Sequence, residues 1–177
     1  MSITIDTIRA AENEEALIGL LATELQLLLP IEIQKDREQF HQILATLPRG
    51  LRAMAGTHEF DVSMTQEDLA MHIACQHDER DLRETVNGLR ELEIPEIADI
   101  LEQAISIMQP HMAELHKQQV SVENLQKWLD QVGAQDKIDP LNDIVWDFSA
   151  EAGPLGMHRA WVLYAQKYPE RCVAAEA

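Results

Sequence analysis

The side chains able to carry chemistry in this 177-residue chain fall into two kinds of cluster: imidazole–carboxylate groups that could hold a metal, and rows of carboxylates that could hold a basic partner. Two-metal carboxylate sites in four-helix bundles need two Glu-x-x-His pairs and two further inward glutamates. Only Glu38-x-x-His41 has that spacing. At this content of Glu and His, about one such pair arises by chance, so a di-iron centre is not expected. A second group, Asp68, His72 and Cys75, falls at i, i+4 and i+7 on one helix face, with His77 just beyond it. That group is the candidate for a metal-binding protein or a small metal-dependent enzyme. The plainer reading of the same residues is a surface Asp–His pair beside a cysteine buried as a small hydrophobe, and it leaves the chain with no metal and no other cofactor. Nucleotide and acyl-transfer chemistry have no visible seat. The seven glycines match neither phosphate-cradling nor dinucleotide spacing, and no serine lies in Gly-x-Ser-x-Gly. The expectation is a chain that is not an enzyme.

The carboxylate rows are more informative. Asp139, Asp143, Asp147 and Glu151 recur every fourth residue, which on one helix spaces like charges about 6 Å apart. The three i, i+4 steps cost about 1 kcal/mol together, and residues 138–158 contain no Lys or Arg to offset them. Glu96, Asp99 and Glu102 form a second row inside residues 91–116, again without a basic residue. Asp78, Asp81 and Glu84 repeat the i, i+3 spacing, with Arg80 and Arg83 interleaved.

Lys and Arg number 14 against 31 Asp and Glu, and the net charge of -17 disfavours direct contact with nucleic acid or anionic membranes. With 46 % hydrophobic residues, the charge sits on a folded body and not on a disordered tail. Spread evenly over a surface of about 8,700 Å², the excess amounts to roughly one charge per 500 Å², against roughly one per 110 Å² on duplex DNA. Gathered on a third of the surface it reaches roughly one per 170 Å², close enough for a DNA-binding face to accept in place of phosphates. The expected partner is therefore a basic protein surface such as that of a transcription factor or other DNA-binding protein, met by Glu96, Asp99, Glu102, Asp139, Asp143, Asp147 and Glu151. An antitoxin- or immunity-type inhibitor would carry the same signature.

The elements that must position these rows read as helices. No apolar stretch beyond Ile3-Thr4-Ile5 alternates without also fitting a helical stripe, so the expectation is one irregular all-α domain over residues 1–177 with eight to ten short helices. The spacing predicts helices over Glu12–Leu29 and Glu32–Leu47, and Pro48 opens a third. Ser63-Met64-Thr65-Gln66 reads as a capping box that starts a helix ending near Cys75. Further helices follow on Leu82–Leu89, from Pro95 with a break at Pro110, and from a Ser121 cap to a Gly133 stop. Asp139-Pro140 reads as an N-cap and first turn, and a last stripe runs through Met157, Trp161, Tyr164 and Tyr168. The expected core contains Leu21, Phe40, Leu44, Leu101, Ile105, Leu125, Leu129, Phe148 and Trp161. Two distant cysteines, no signal-like N-terminus and no spanning segment suit a reduced, cytoplasmic protein.

The segment from Leu47 to Ala104 also carries a resemblance. Leu47-Pro48, Leu51-Arg52, Phe60-Asp61-Val62-Ser63 and Leu89-x-x-Leu92-x-Ile94-Pro95-x-Ile97-Ala98-x-Ile100-Leu101-x-x-Ala104, with the later Leu141-Asn142-x-x-x-Trp146, resemble an all-helical bacterial domain family of unknown function that includes an acidic DNA-mimic protein. The chain departs from the family at Ser63-Met64-Thr65, where relatives carry an Asn-Gly-Gly-like turn. The resemblance implies a compact helical fold, a homodimer and, by way of the mimic, a seat on a transcription factor's DNA-binding face.

Overall fold

The computed structural model describes residues 3–76, 78–117 and 121–174. Within them the chain is helical without a strand, and nine helices have seven residues or more. α1 (Ile5–Arg9) is closed at its start by Thr4 and Thr7, whose side chains cap each other's backbone N–H. Asn13 caps α2 (Glu14–Leu28), and a short α3 (Ile31–Gln34) follows Pro30. α4 is Arg37–Leu44, and α5 (Arg49–Gln66) starts directly after Pro48. α6 is Leu69–Cys75, α7 is Glu79–Glu91, and α8 (Pro95–Met108) has its proline at the first helical position. Pro110 breaks the run into a 3-10 turn, Gln109–His111, and a one-turn α9 (Met112–Leu115). Ser121 caps α10 (Val122–Val132), which ends on Gly133 in the left-handed region at φ 65°. α11 (Gln135–Glu151) is followed by a 3-10 turn at Gly153–Leu155, α12 (His158–Lys167) and a last 3-10 turn at Pro169–Arg171.

Three expected boundaries are corrected. The helix expected over 32–47 is two helices, because the Asp36 side chain caps the Gln39 N–H at 3.1 Å and restarts the coil. Ser63 does not open a helix. α5 runs through it, burying Phe60, Asp61 and Met64, and the Ser63 hydroxyl donates to the Glu59 carbonyl one turn back. The cap of the next helix is Asp68, which accepts from the Met71 N–H at 2.8 Å. Asp139 is likewise not an N-cap: α11 starts at Gln135 and carries Pro140 in its second turn. The early start turns Ile138 into the core, and that burial outweighs the hydrogen bond Pro140 cannot donate.

Two apolar clusters form the interior. One gathers Phe60, Leu69, Leu89, Leu101, Leu129 and Val145, and the other gathers Leu17, Leu21, Leu51, Met54, Trp161 and Tyr164. Ile94 packs against both. Between them α5 lies along α7 in the most extensive helix pair of the molecule. Backbones nearly touch there. A methyl added at Gly88 would stand 2.7 Å from the Ala53 carbonyl oxygen, and one added at Gly56 would stand 2.8 Å from that of Glu84. The Thr85 hydroxyl uses the approach to donate to the Gly56 carbonyl at 2.8 Å.

Of the expected core, Leu21, Leu44, Leu101, Leu125, Leu129 and Trp161 are buried. Phe40, Ile105 and Phe148 are only half-buried, the last two at the margin of the first cluster. The expectation of a buried Cys75 is corrected, since Cys75 is exposed; the buried cysteine is Cys172. Among the described residues no helix is long and apolar enough to cross a membrane.

Candidate functional site

α11 presents Asp139, Asp143, Asp147 and Glu151 together on its exposed arc. At 100° per residue Asp136, also exposed, falls in the same stripe. The Gln135 side-chain amide donates to Asp139. Among the described residues no basic side chain pairs with Asp143, Asp147 or Glu151. Ile144 and Trp146 are exposed on the same helix. The inner face of α11 packs on α8, so the two acidic helices are neighbours.

On α8, Glu96, Asp99 and Glu102 are all exposed. The absence of basic residues within 91–116 did not leave the whole row unpaired, because Arg90 at the end of α7 reaches across. Its guanidinium donates to Asp99 at 3.0 Å and to Glu102 at 2.7 and 3.1 Å. These are surface pairs, with Asp99 64 % and Glu102 50 % exposed, so they mute the local field more than they stabilise the fold. No basic residue pairs with Glu96 among the described residues.

The α7 carboxylates are built into the structure. Asp78 caps its own helix through the Arg80 N–H at 2.9 Å and also holds the Arg80 guanidinium. Hydrogen bonding from Arg80 holds the Asp78 carboxyl down to about 2. Asp81 is buried, and it takes both Arg37 from α4 and His41 Nε2, the latter at 3.0 Å. Burial pushes the Asp81 carboxyl upward, and the Arg37 guanidinium offsets only part of that push. Glu84 accepts two parallel hydrogen bonds from Arg52 of α5, at 2.9 and 2.6 Å, and this pairing raises the Arg52 guanidinium. Pairing partners that lie 32 to 44 residues away gave no signal in the local sequence pattern.

The imidazole–thiol group does not assemble. Asp68 is turned to the Met71 N–H as a cap, and the Cys75 thiol lies 3.6 Å from the Met71 sulfur. His72 is buried and lies edge-on to Phe60. Its Nδ1 stands 3.1 Å from the Ser63 oxygen, whose own proton goes to Glu59, so Nδ1–H donates and Nε2 is left bare. Burial alone lowers this imidazole to about 4. His77 lies outside the described residues. Among the described residues no three of His, Cys, Asp and Glu come together in a way that could hold a metal ion. The surface Asp–His pair beside a buried Cys is corrected too, because here the histidine is buried and the cysteine is exposed.

A further polar cluster was not anticipated. Asp61 of α5 accepts from the Met157 N–H at 3.0 Å and pairs with His158 at 2.8 Å, pinning the turn that follows α11. His158 stands edge-on to Trp161 with ring centres 4.4 Å apart, and His58 lies 5.9 Å from His158. Burial, then the charge of His158, lowers His58. Compared with models of known protein families, with curated protein sequences and with solved structures, the chain gives no significant match.

Proposed function

We propose that the chain is a non-enzymatic acidic binding protein whose α11 face, with the neighbouring part of α8, engages a basic protein surface, and that the surface is the DNA-binding face of another protein. The observation that supports this most is the α11 row: four exposed carboxylates in line, with no basic side chain paired to Asp143, Asp147 or Glu151 among the described residues. The repulsion of about 1 kcal/mol carried in the free chain is relieved when cations approach.

Linear density limits how far one helix imitates DNA. The row places a charge about every 6 Å of helix axis, whereas one DNA strand carries a phosphate about every 3.4 Å. One row therefore supplies a little over half the charge of one strand. Carboxylates of α8 beside it are needed to present a second line, and Glu96, unlike Asp99 and Glu102, is not drawn back by Arg90. The resemblance carried by Leu47–Ala104 to a helical family with an acidic DNA-mimic member favours the same partner class.

Affinity capture from the native host, followed by competition with duplex DNA, tests this reading. The expected partner is a DNA-binding protein that the chain displaces from DNA, with affinity falling steeply as salt rises. Asp143→Asn with Asp147→Asn should weaken that complex mainly through a slower on-rate. Unchanged affinity and salt slope in the double variant would mean that this row is only a solvated face.

A further inference from the structure

Helices α3 and α4 form an arm, residues 31–44, that packs chiefly on itself and is bounded by Pro30 and Pro48. The arm is tied to the body by the buried Leu44, by Arg37 and His41 on Asp81, and by Glu38 on Arg80 at 2.8 Å. Between arm and body lies a cavity of about 360 Å³, within the size range of small-molecule sites. The arm contributes Arg37, Phe40 and Leu44, and the body contributes Leu29, Asp81 and Trp161.

The carboxylates of the wall favour a cationic occupant. Several of the wall's donors are engaged: the Trp161 N–H goes to the Thr57 hydroxyl at 3.1 Å, the Thr85 hydroxyl to Gly56, the Gln34 amide to the Leu29 carbonyl, and a terminal nitrogen of Arg37 to Asp81, while the buried Arg37 Nε–H meets no acceptor and would leave with that side chain when it is displaced. Its acceptors are not all engaged. Arg37 and His41 both meet Asp81 at Oδ1, and no hydrogen bond reaches Oδ2 among the described residues. Glu59, also in the wall, accepts from Gln76 through Oε2 only. The chain moreover demonstrates the fit with a group of its own: the Arg37 guanidinium sits 4.4 Å from the centre of the Phe40 ring while it pairs with Asp81.

We propose that this cavity binds a small organic cation, an apolar group bearing one amine or guanidine, and that Arg37 occupies its cation subsite in the free chain. The ligand's cation takes the place of Arg37 at Asp81, its apolar part lies against Trp161 and Leu29, and the arm closes over it. This site is separate from the α11 face and does not depend on it.

Titration of the isotopically labelled full chain with phenethylamine, and with 3-phenylpropionate as the shape-matched anion, tests the proposal by amide NMR at physiological salt. The amine should give saturable shifts confined to the arm, Gly56 and Thr85, and the anion none. Arg37→Met removes the internal competitor and should tighten amine binding by about tenfold. Asp81→Asn should abolish the response. If that variant unfolds, Arg37→Met still decides, because a purely structural arginine would not oppose the amine. No saturable shift, equal binding of the anion, shifts spread over α8 and α11, or amine binding left unchanged or weakened by Arg37→Met would each overturn the proposal.

Discussion

The start of α7 and the length of α11 carry the same signature, carboxylates at helical spacing, and the fold uses them in opposite ways. Asp78, Asp81 and Glu84 meet Arg80, Arg37, His41 and Arg52, two of which arrive from other helices as hydrogen-bonded guanidinium groups. Asp143, Asp147 and Glu151 meet no basic side chain among the described residues. A row of acids in sequence is therefore not yet a surface. What decides is whether a cation from elsewhere in the chain can reach it, and 14 Lys and Arg cannot pair with all of 31 acids. The row that goes without is the one we propose for a partner.

The largest effect that would break this comparison is at Asp81. Asp81→Ala leaves Arg37 and His41 facing a buried site without their carboxylate, and urea unfolding should show a loss of about 3 kcal/mol, at the low end for a buried pair because Arg37 is one-third exposed. A loss below about 1 kcal/mol would place Asp81 with the solvated carboxylates of α11.

His72 sharpens the contrast as a titratable group with no carboxylate beside it. Its imidazole is lowered to about 4 by burial, so between pH 6.5 and 4 the unfolded chain binds a proton that the folded chain refuses. Stability from this group is fully present above the ordinary imidazole range and falls as the medium is acidified, by roughly 2 to 3 kcal/mol at pH 4.5. The His72→Leu variant should lose that part of the pH dependence, measured as the difference in unfolding free energy between pH 7.5 and 4.5.

A smaller effect is expected for Arg52 and Glu84, where a double-mutant cycle with Arg52→Met and Glu84→Gln should return a coupling of about 1 kcal/mol, since the arginine is 41 % exposed. The smallest belongs to α11. Asp143→Asn with Asp147→Asn should leave thermal stability level or raise it by a few tenths of a kcal/mol as repulsion is relieved. A marked loss would show that these carboxylates hold the fold.

Much of the helical architecture was legible because it is local. Ser121 and Gly133 bracket α10 as their conformational preferences dictate, Pro95 opens α8, and Pro110 breaks it. The misread boundaries share a cause. At Ser63 and at Asp139-Pro140 a sound local start signal was overridden by burial of Phe60, Met64 and Ile138, which depends on what packs from afar. The acidic stripe of α11 could be read because helical periodicity alone aligns it. The pairing of α7 with α4 and α5, the reach of Arg90 to α8 and the Asp61–His158 contact could not, since each joins segments that only the folded chain brings together.

The near contact of backbones at Gly56 and Gly88 has a consequence for how the molecule comes into being. α5 and α7 lie within residues 49–91, with only α6 between them, so their docking closes a short loop and costs little chain entropy. A pairing so local, in which the backbones meet directly at two glycines, is suited to be the nucleus on which the two apolar clusters condense. Gly56→Ala should then slow refolding in stopped-flow measurements more than it speeds unfolding, whereas truncations in α11 and α12, which join later, should act mainly on the unfolding arm.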